Sequence, residues 1–279
     1  MKKIGIIDYF LNEWHANNYP RIFKGACEKV GGEFEFAYAY GEIENNGVTT
    51  DAWCAERGIK KCETIEELCE KSDFIMILSP NNPEKHLEYA KKVFKYRKPT
   101  FIDKTFAPDA KTAREIFDLA KEYDAPFFST SSLRYAVELE GLKGAESVIA
   151  YGGGGHMKSE IIHEVEIIVS LIDELPTRVK VERLSQNQII SHVEFENGKK
   201  GAMVFSVYNP FMVSVEKDKT PITKPNLSGF FNGLMEDIIR FYTTSKFSFD
   251  AKETIIVAEI VEAYLKGLDK LGEWIEIKR

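Results

Sequence analysis

The two residues of this chain best placed to do chemistry are Lys104 and His163. Lys104 directly follows the apolar run Thr100-Phe101-Ile102-Asp103. A strand ending there would hold its ammonium group over the carboxyl edge of a sheet, where α/β proteins bind ligands. The alternative is a surface lysine paired to Asp103. His163 shares a spacing with Ser159, Glu166 and Ser170 that puts the four on one face of a helix, while isoleucine and valine fill the remainder. A polar stripe on an apolar helix faces a cleft or water, and a histidine there titrates near neutrality and can pass a proton. A hydrogen-bonded structural histidine is the other reading.

Two glycine patterns bear on phosphate chemistry. A dinucleotide-binding turn after the first strand needs glycines, so that backbone amides can approach a pyrophosphate at a helix N-terminus. Here Gly5 lies inside the apolar run Ile4-Gly5-Ile6-Ile7 and no glycine follows until Gly25, while Asp8 and Glu13 add negative charge. The run Gly152–Gly155 looks like a P-loop, but Met157 stands where that motif requires its second glycine. It reads either as an anion-binding turn before a helix or as a flexible connector.

The elements that must carry these residues follow from hydrophobic period. Strands are expected at Lys3–Asp8, Glu33–Tyr40, Asp73–Ser79, Thr100–Asp103 and Pro126–Ser129, alternating with helices near Ala16–Val30, Ile65–Lys71, Pro83–Tyr96 and Asp109–Tyr123. Strands apolar at every position, such as Phe74-Ile75-Met76-Ile77-Leu78, suit a parallel sheet covered on both faces. After about Leu133 the pattern changes to one long helix over Lys158–Asp173 and strands at Arg178–Leu184, Gln188–Glu196, Gly201–Val207 and Phe211–Glu216. Asn197-Gly198 marks a tight hairpin between two of them. Helices near Ser228–Thr243 and Ala251–Leu271 and a strand at Trp274–Ile277 close the chain.

The fold class is therefore α/β: a Rossmann-like doubly wound parallel sheet over residues 1–130, then an α+β domain on a mainly antiparallel sheet over 131–279. The uncovered face of that second sheet calls for a homodimer or higher homo-oligomer. A formal charge of −7 disfavours a nucleic-acid partner. No apolar run approaches the ~18 residues of a membrane span, and no signal-peptide core is evident, so a cytoplasmic protein is expected. The four cysteines include no CxxC pair, so no metal site is expected.

In this setting the chain resembles the glucose–fructose oxidoreductase/inositol dehydrogenase (Gfo/Idh/MocA) family over nearly its whole length. The clearest stretch runs from Thr64 to Ala136. Asp103-Lys104-Thr105 stands where the family has Glu-Lys-Pro, and His86 where it has the histidine after a Pro-Asn loop. His163 and Glu166 fall on its His-x-x-Asp positions, and Glu253–Ile277 is similar to its last helix and strand. The resemblance implies an NAD(P)-dependent oxidoreductase acting on a sugar, polyol or related hydroxy compound, a small-molecule substrate, with NAD slightly favoured over NADP. It makes Lys104 and His163 catalytic. It puts Asp8, Phe10, Glu42, Ser79, Pro80, Asn81, His86 and Lys104 at the cofactor, and Arg134, His156, Ser159 and Glu166 at the substrate. The sequence departs from the family in its missing turn glycines, in Thr105, and in Ser159, where an aspartate precedes the histidine by four residues. Those departures leave a second reading, a non-catalytic ligand-binding relative with a degenerate cofactor site.

Overall fold

The computed structural model describes Met1–Arg279 and divides into two compact units, one of Met1–Thr130 with Leu234–Phe249, the other of Ser131–Gly233 with Asp250–Arg279. The chain thus returns to its first unit late, where a single cut after residue 130 was expected.

The first unit alternates β1 (Lys2–Asp8), α1 (Trp14–Val30), β2 (Phe34–Gly41), α2 (Thr50–Arg57), β3 (Lys60–Lys61), α3 (Ile65–Lys71), β4 (Phe74–Ile77), α4 (Glu84–Val93), β5 (Thr100–Ile102), α5 (Ala110–Tyr123) and β6 (Phe127–Ser129). The strands form a six-stranded, wholly parallel sheet in the order β3-β2-β1-β4-β5-β6. That order reverses between β1 and β4, so the ligand crevice of such a sheet lies at their carboxyl ends. Ile4, Ile6, Ile7, Phe74, Ile75, Met76 and Ile77 are all buried, as strands with both faces covered require. The helices start on side-chain caps: Thr49, Thr64 and Asp109 accept the amides of Ala52, Glu67 and Thr112. The returning segment Leu234–Phe249 belongs to this core through aromatic packing. Tyr242 stacks on Phe74 and donates its hydroxyl to the carbonyl of Ile75 at 2.8 Å, while Phe128 meets Phe241 and Phe247.

The second unit holds β7 (Ser147–Gly152), α6 (Met157–Glu160), α7 (Ile162–Leu171), β8 (Pro176–Ser185), β9 (Gln188–Phe195), β10 (Lys200–Ser206), β11 (Met212–Lys217), β12 (Thr220–Lys224), α9 (Lys252–Leu268) and β13 (Trp274–Glu276), with α8 (Phe230–Thr244) passing from it into the first unit. Its sheet has seven strands in the order β12-β11-β7-β10-β9-β8-β13, antiparallel except where β7 runs parallel to β10. Asn197 (φ 63°) and Gly198 (φ 79°) make the expected tight turn between β9 and β10. One face buries Val179, Val181, Ile189, Val193, Met203 and Phe205, and α7 and α9 pack in that core. The helix expected over Lys158–Asp173 is instead two, α6 and α7, divided at Ile161, which is buried. No helix of the chain is long and apolar enough to cross a membrane.

Candidate active site

At the carboxyl ends of β1 and β4 the backbone is laced together by side chains. Asp8 is buried, and its Oδ1 accepts the amide and hydroxyl of Ser79, each at 3.1 Å, and the amide of Phe10 at 3.4 Å. Ser79 in turn accepts the Tyr9 amide at 2.8 Å. Ser79 takes a left-handed conformation (φ 53°), Pro80 is buried and Asn81 exposed. Burial, with the neighbouring Glu13 carboxylate, pushes the Asp8 carboxyl well above the usual aspartate range. Glu13 caps α1 in an unusual way: one carboxylate oxygen accepts the His15 amide at 2.7 Å and the other the Ala16 amide. Burial raises the Glu13 carboxyl as well, against the opposing pull of His15 and of the two amides.

Lys104 lies two residues past the end of β5, is almost fully buried, and joins Thr105 through a cis peptide. Its amide donates to Asp103 Oδ1 at 2.9 Å. Asp103 also meets His15 Nδ1 and accepts the Tyr19 hydroxyl at 3.3 Å, with the His15 ring stacked on Tyr19. Burial alone would raise Asp103, but the facing His15 and Lys104 outweigh it and hold its carboxyl below the usual aspartate range. His15 and Glu13 were not among the expected site residues, although their place after the first strand was the available signal.

Two expected cofactor contacts are engaged within the protein. His86 is fully buried, with Nδ1 2.9 Å from the Phe106 carbonyl and Nε2 2.5 Å from the Leu78 carbonyl. Burial lowers its pKa. It fixes the loops that follow β4 and β5 and has no face left for a ligand. Glu42, expected at a ribose, accepts Lys85 Nζ and the Tyr89 hydroxyl, both at 2.7 Å. Partial burial opposes its charge, yet these two donors hold it below the usual glutamate range.

In the second unit His163 lies in the first turn of α7. Its Nδ1 is 2.7 Å from Ser131 Oγ, its Nε2 3.1 Å from Glu160 Oε2, and its ring meets the edge of Phe211. Ser159 Oγ donates to the His156 carbonyl at 3.4 Å. Glu160, one residue later, supplies the carboxylate that the sequence seemed to lack. Glu166 and Arg134, expected at the substrate, are buried against each other: Arg134 Nε to Glu166 Oε2 at 2.7 Å and Nη1 to Glu253 Oε2 at 2.8 Å. Burial opposes the guanidinium charge, but Glu166 and Glu253 outweigh it and raise its pKa. The other Glu166 oxygen accepts the Ser131 amide at 2.9 Å, so the pair also holds the residue whose hydroxyl faces His163. His156 is exposed.

Close packing accounts for Gly152, Gly153 and Gly154 of the glycine run. A Cβ at Gly152 would stand 2.5 Å from Glu164 Oε1, and one at Gly153 2.0 Å from the Ser206 carbonyl oxygen. The helix after it, α6, is a single turn with no side-chain cap. Glu164 is fully buried and neither of its oxygens has a hydrogen-bond partner, so burial raises its pKa well above the glutamate range. The unfolded chain loses this proton near the ordinary value while the fold retains it. The stabilisation from neutral Glu164 is therefore complete below the unfolded pKa and is lost as pH rises through the folded one. Glu164→Gln should be more stable than the parent at pH 8 and lose that advantage towards pH 4, by roughly 1.4 kcal/mol per pH unit within the window. Urea unfolding at both pH values measures this; a pH-independent difference would refute it.

The first unit thus carries a buried lysine just past β5 of a Rossmann-like sheet, and the second, an α+β unit, carries a histidine that faces a carboxylate. Residues 28–131 match the model of the Gfo/Idh/MocA oxidoreductase family, NAD-binding Rossmann fold. A search of curated protein sequences finds no match. Among solved structures, the chain is similar to myo-inositol dehydrogenase from Lactobacillus casei in complex with NAD(H) and myo-inositol (TM-score 0.78, 12% identity, covering 100% of this chain and 97% of that one). It is similar to scyllo-inositol dehydrogenase from the same organism (TM-score 0.75, 13% identity, 99% and 98%). A third is an oxidoreductase from Agrobacterium radiobacter in complex with NAD+, L-tartaric acid and magnesium (TM-score 0.76, 12% identity, 99% and 98%). The Gfo/Idh/MocA resemblance read from the sequence is thus supported by the family model over residues 28–131, and over its whole length the chain has the same fold as these solved structures.

The β1–α1 turn, however, does not fit a pyrophosphate laid on α1 in the ordinary way. The Tyr9, Phe10, His15 and Ala16 amides are taken by Ser79, Asp8 and Glu13, and the nearby acceptors are carboxylates.

Proposed function

We propose that the protein is an NAD(P)-dependent oxidoreductase acting on the CH–OH group of a sugar, polyol or related hydroxy compound. The observation that carries this reading is the match of residues 28–131 to an NAD-binding oxidoreductase family. A nicotinamide dinucleotide would supply the two-electron acceptor of such a reaction. Lys104 holds the reacting hydroxyl and favours its alkoxide. His163 accepts the hydroxyl proton by exchanging one of its present partners, Ser131 or Glu160, for the substrate. A carboxylate on the far ring nitrogen raises the basicity of the near one, which is the part Glu160 or its exchange with Ser131 would play.

The test is a panel of polyols, sugars and hydroxy acids with NAD+ or NADP+, followed by absorbance of the reduced nicotinamide. Turnover of at least one class is expected. No turnover across the panel, with no cofactor binding at millimolar concentration, would overturn the reading. One observation favours the second reading, a ligand-binding relative without turnover: the internal carboxylate on α1.

We also infer a homodimer formed through the face of the seven-stranded sheet that α7 and α9 leave open. Ile149, Tyr151, Ile190 and Val204 lie on it, beside the ion pairs Lys180–Glu182 and His192–Glu182. Light scattering at tens of micromolar should give twice the chain mass; a monomer would refute this.

A further inference from the structure

The first turn of a long helix after β1 is where a doubly wound sheet offers backbone N–H groups to a phosphate. In this chain that turn already has an anion. The Glu13 carboxylate bridges the His15 and Ala16 amides, so the N–H groups that a pyrophosphate would need are satisfied from within. The side chain is almost fully buried, as a group held in a built site would be. The neighbouring positions are closed in the same manner. Asp8 takes the Phe10 amide, and at the end of β2 Glu42 is clasped by Lys85 and Tyr89.

We propose that Glu13 is an internal stand-in for the cofactor pyrophosphate, a tethered carboxylate that NAD(P) must displace from the start of α1 before it can bind there. This rests on the oxidoreductase reading for the identity of the ligand. A tethered carboxylate competes at high effective concentration and costs little entropy to hold. A pyrophosphate arriving while Glu13 is in place would also meet the Glu13, Asp8 and Asp103 carboxylates, with His15 already committed to Asp103. Glu13 is then the residue that sets how tightly this chain takes a dinucleotide.

Calorimetric titration with NADH and NADPH of the parent, Glu13→Ser and Glu13→Gly tests the proposal. Serine keeps a capping oxygen for α1 while removing the charge and the reach; glycine clears the turn. Both variants should bind one of the cofactors about tenfold or more tightly than the parent, the order expected for removing a competing charge at a helix terminus. Equal, measurable affinity in all three would overturn the role of Glu13 and leave the oxidoreductase reading standing. No binding in any of the three at millimolar concentration would overturn both. Circular dichroism melting of each variant shows that the turn still folds.

Discussion

His163→Asn is expected to lower turnover by about 10²–10⁴-fold, the usual contribution of a positioned general base, with little change in KM. Asparagine approximates the volume and keeps one acceptor and one donor for Ser131 and Glu160, but it cannot carry the substrate proton at neutral pH. The loss should therefore fall on kcat. Glu160→Gln tests the same device from its other side. Glutamine can still hydrogen-bond His163 Nε2, which lies 3.1 Å from the present carboxylate, but it removes the charge that favours the imidazolium. Glu160→Gln should cost less than His163→Asn and move the acid limb of the pH–rate profile to lower pH. Lys104→Met, which keeps the buried stem and deletes the ammonium, should also act on kcat. Unchanged turnover in both His163→Asn and Lys104→Met would show that the chemistry lies elsewhere.

Much of this architecture is legible in the sequence, for physical reasons that differ by element. Phe74–Ile77 is apolar at every position because both faces of β4 are covered, and that continuity is what separates a parallel strand from a half-exposed one. Lys104 was placed correctly at the sheet edge because an apolar run ending in a charged residue has few other foldings. The Asn197-Gly198 turn declares itself through the left-handed conformations it needs.

The features that were not legible depend on contacts distant in sequence or on one-residue shifts of helical phase. Glu13 is a poor N-cap by type, and nothing local says that its longer side chain folds back onto two amides. The carboxylate that faces His163 comes from Glu160, its i,i+3 neighbour, and not from the i,i+4 position that Ser159 holds. Glu166 shares a polar stripe with His163 and so reads as a cleft- or water-facing group, and nothing local marks Glu164 as a core residue, since glutamates seldom lie in cores. The fold buries both, one satisfied by Arg134 and Ser131 and the other not. The return of Leu234–Phe249 to the first unit rests on aromatic contacts across more than a hundred residues, such as Phe128 with Phe241.

Arg134→Ala is expected to destabilise the protein by about 3–5 kcal/mol, the loss seen when one member of a buried ion network is removed. Arg134 and Glu166 are only 4% and 3% exposed, and Glu253 is 11% exposed. Deleting the guanidinium leaves two buried carboxylates without their shared cation, which is worse than the loss of any one hydrogen bond. Arg134→Lys should rescue little, because a single ammonium lacks the planar, divergent N–H groups by which Nε reaches Glu166 and Nη1 reaches Glu253 at once. Arg134→Met/Glu166→Met should lose less than the sum of its single changes, since Glu166 is then not stranded and Glu253 keeps Lys143 at 3.5 Å. Urea unfolding supplies the four free energies; additive losses, or a single-site cost under about 1 kcal/mol, would place the network outside the stabilising core. The same variants separate stability from chemistry. Glu166 holds the Ser131 amide, and Ser131 touches His163, so Glu166→Gln should shift the pH–rate profile while retaining most of the fold's stability. An unchanged profile would mean that Glu166 supports the fold without positioning the histidine.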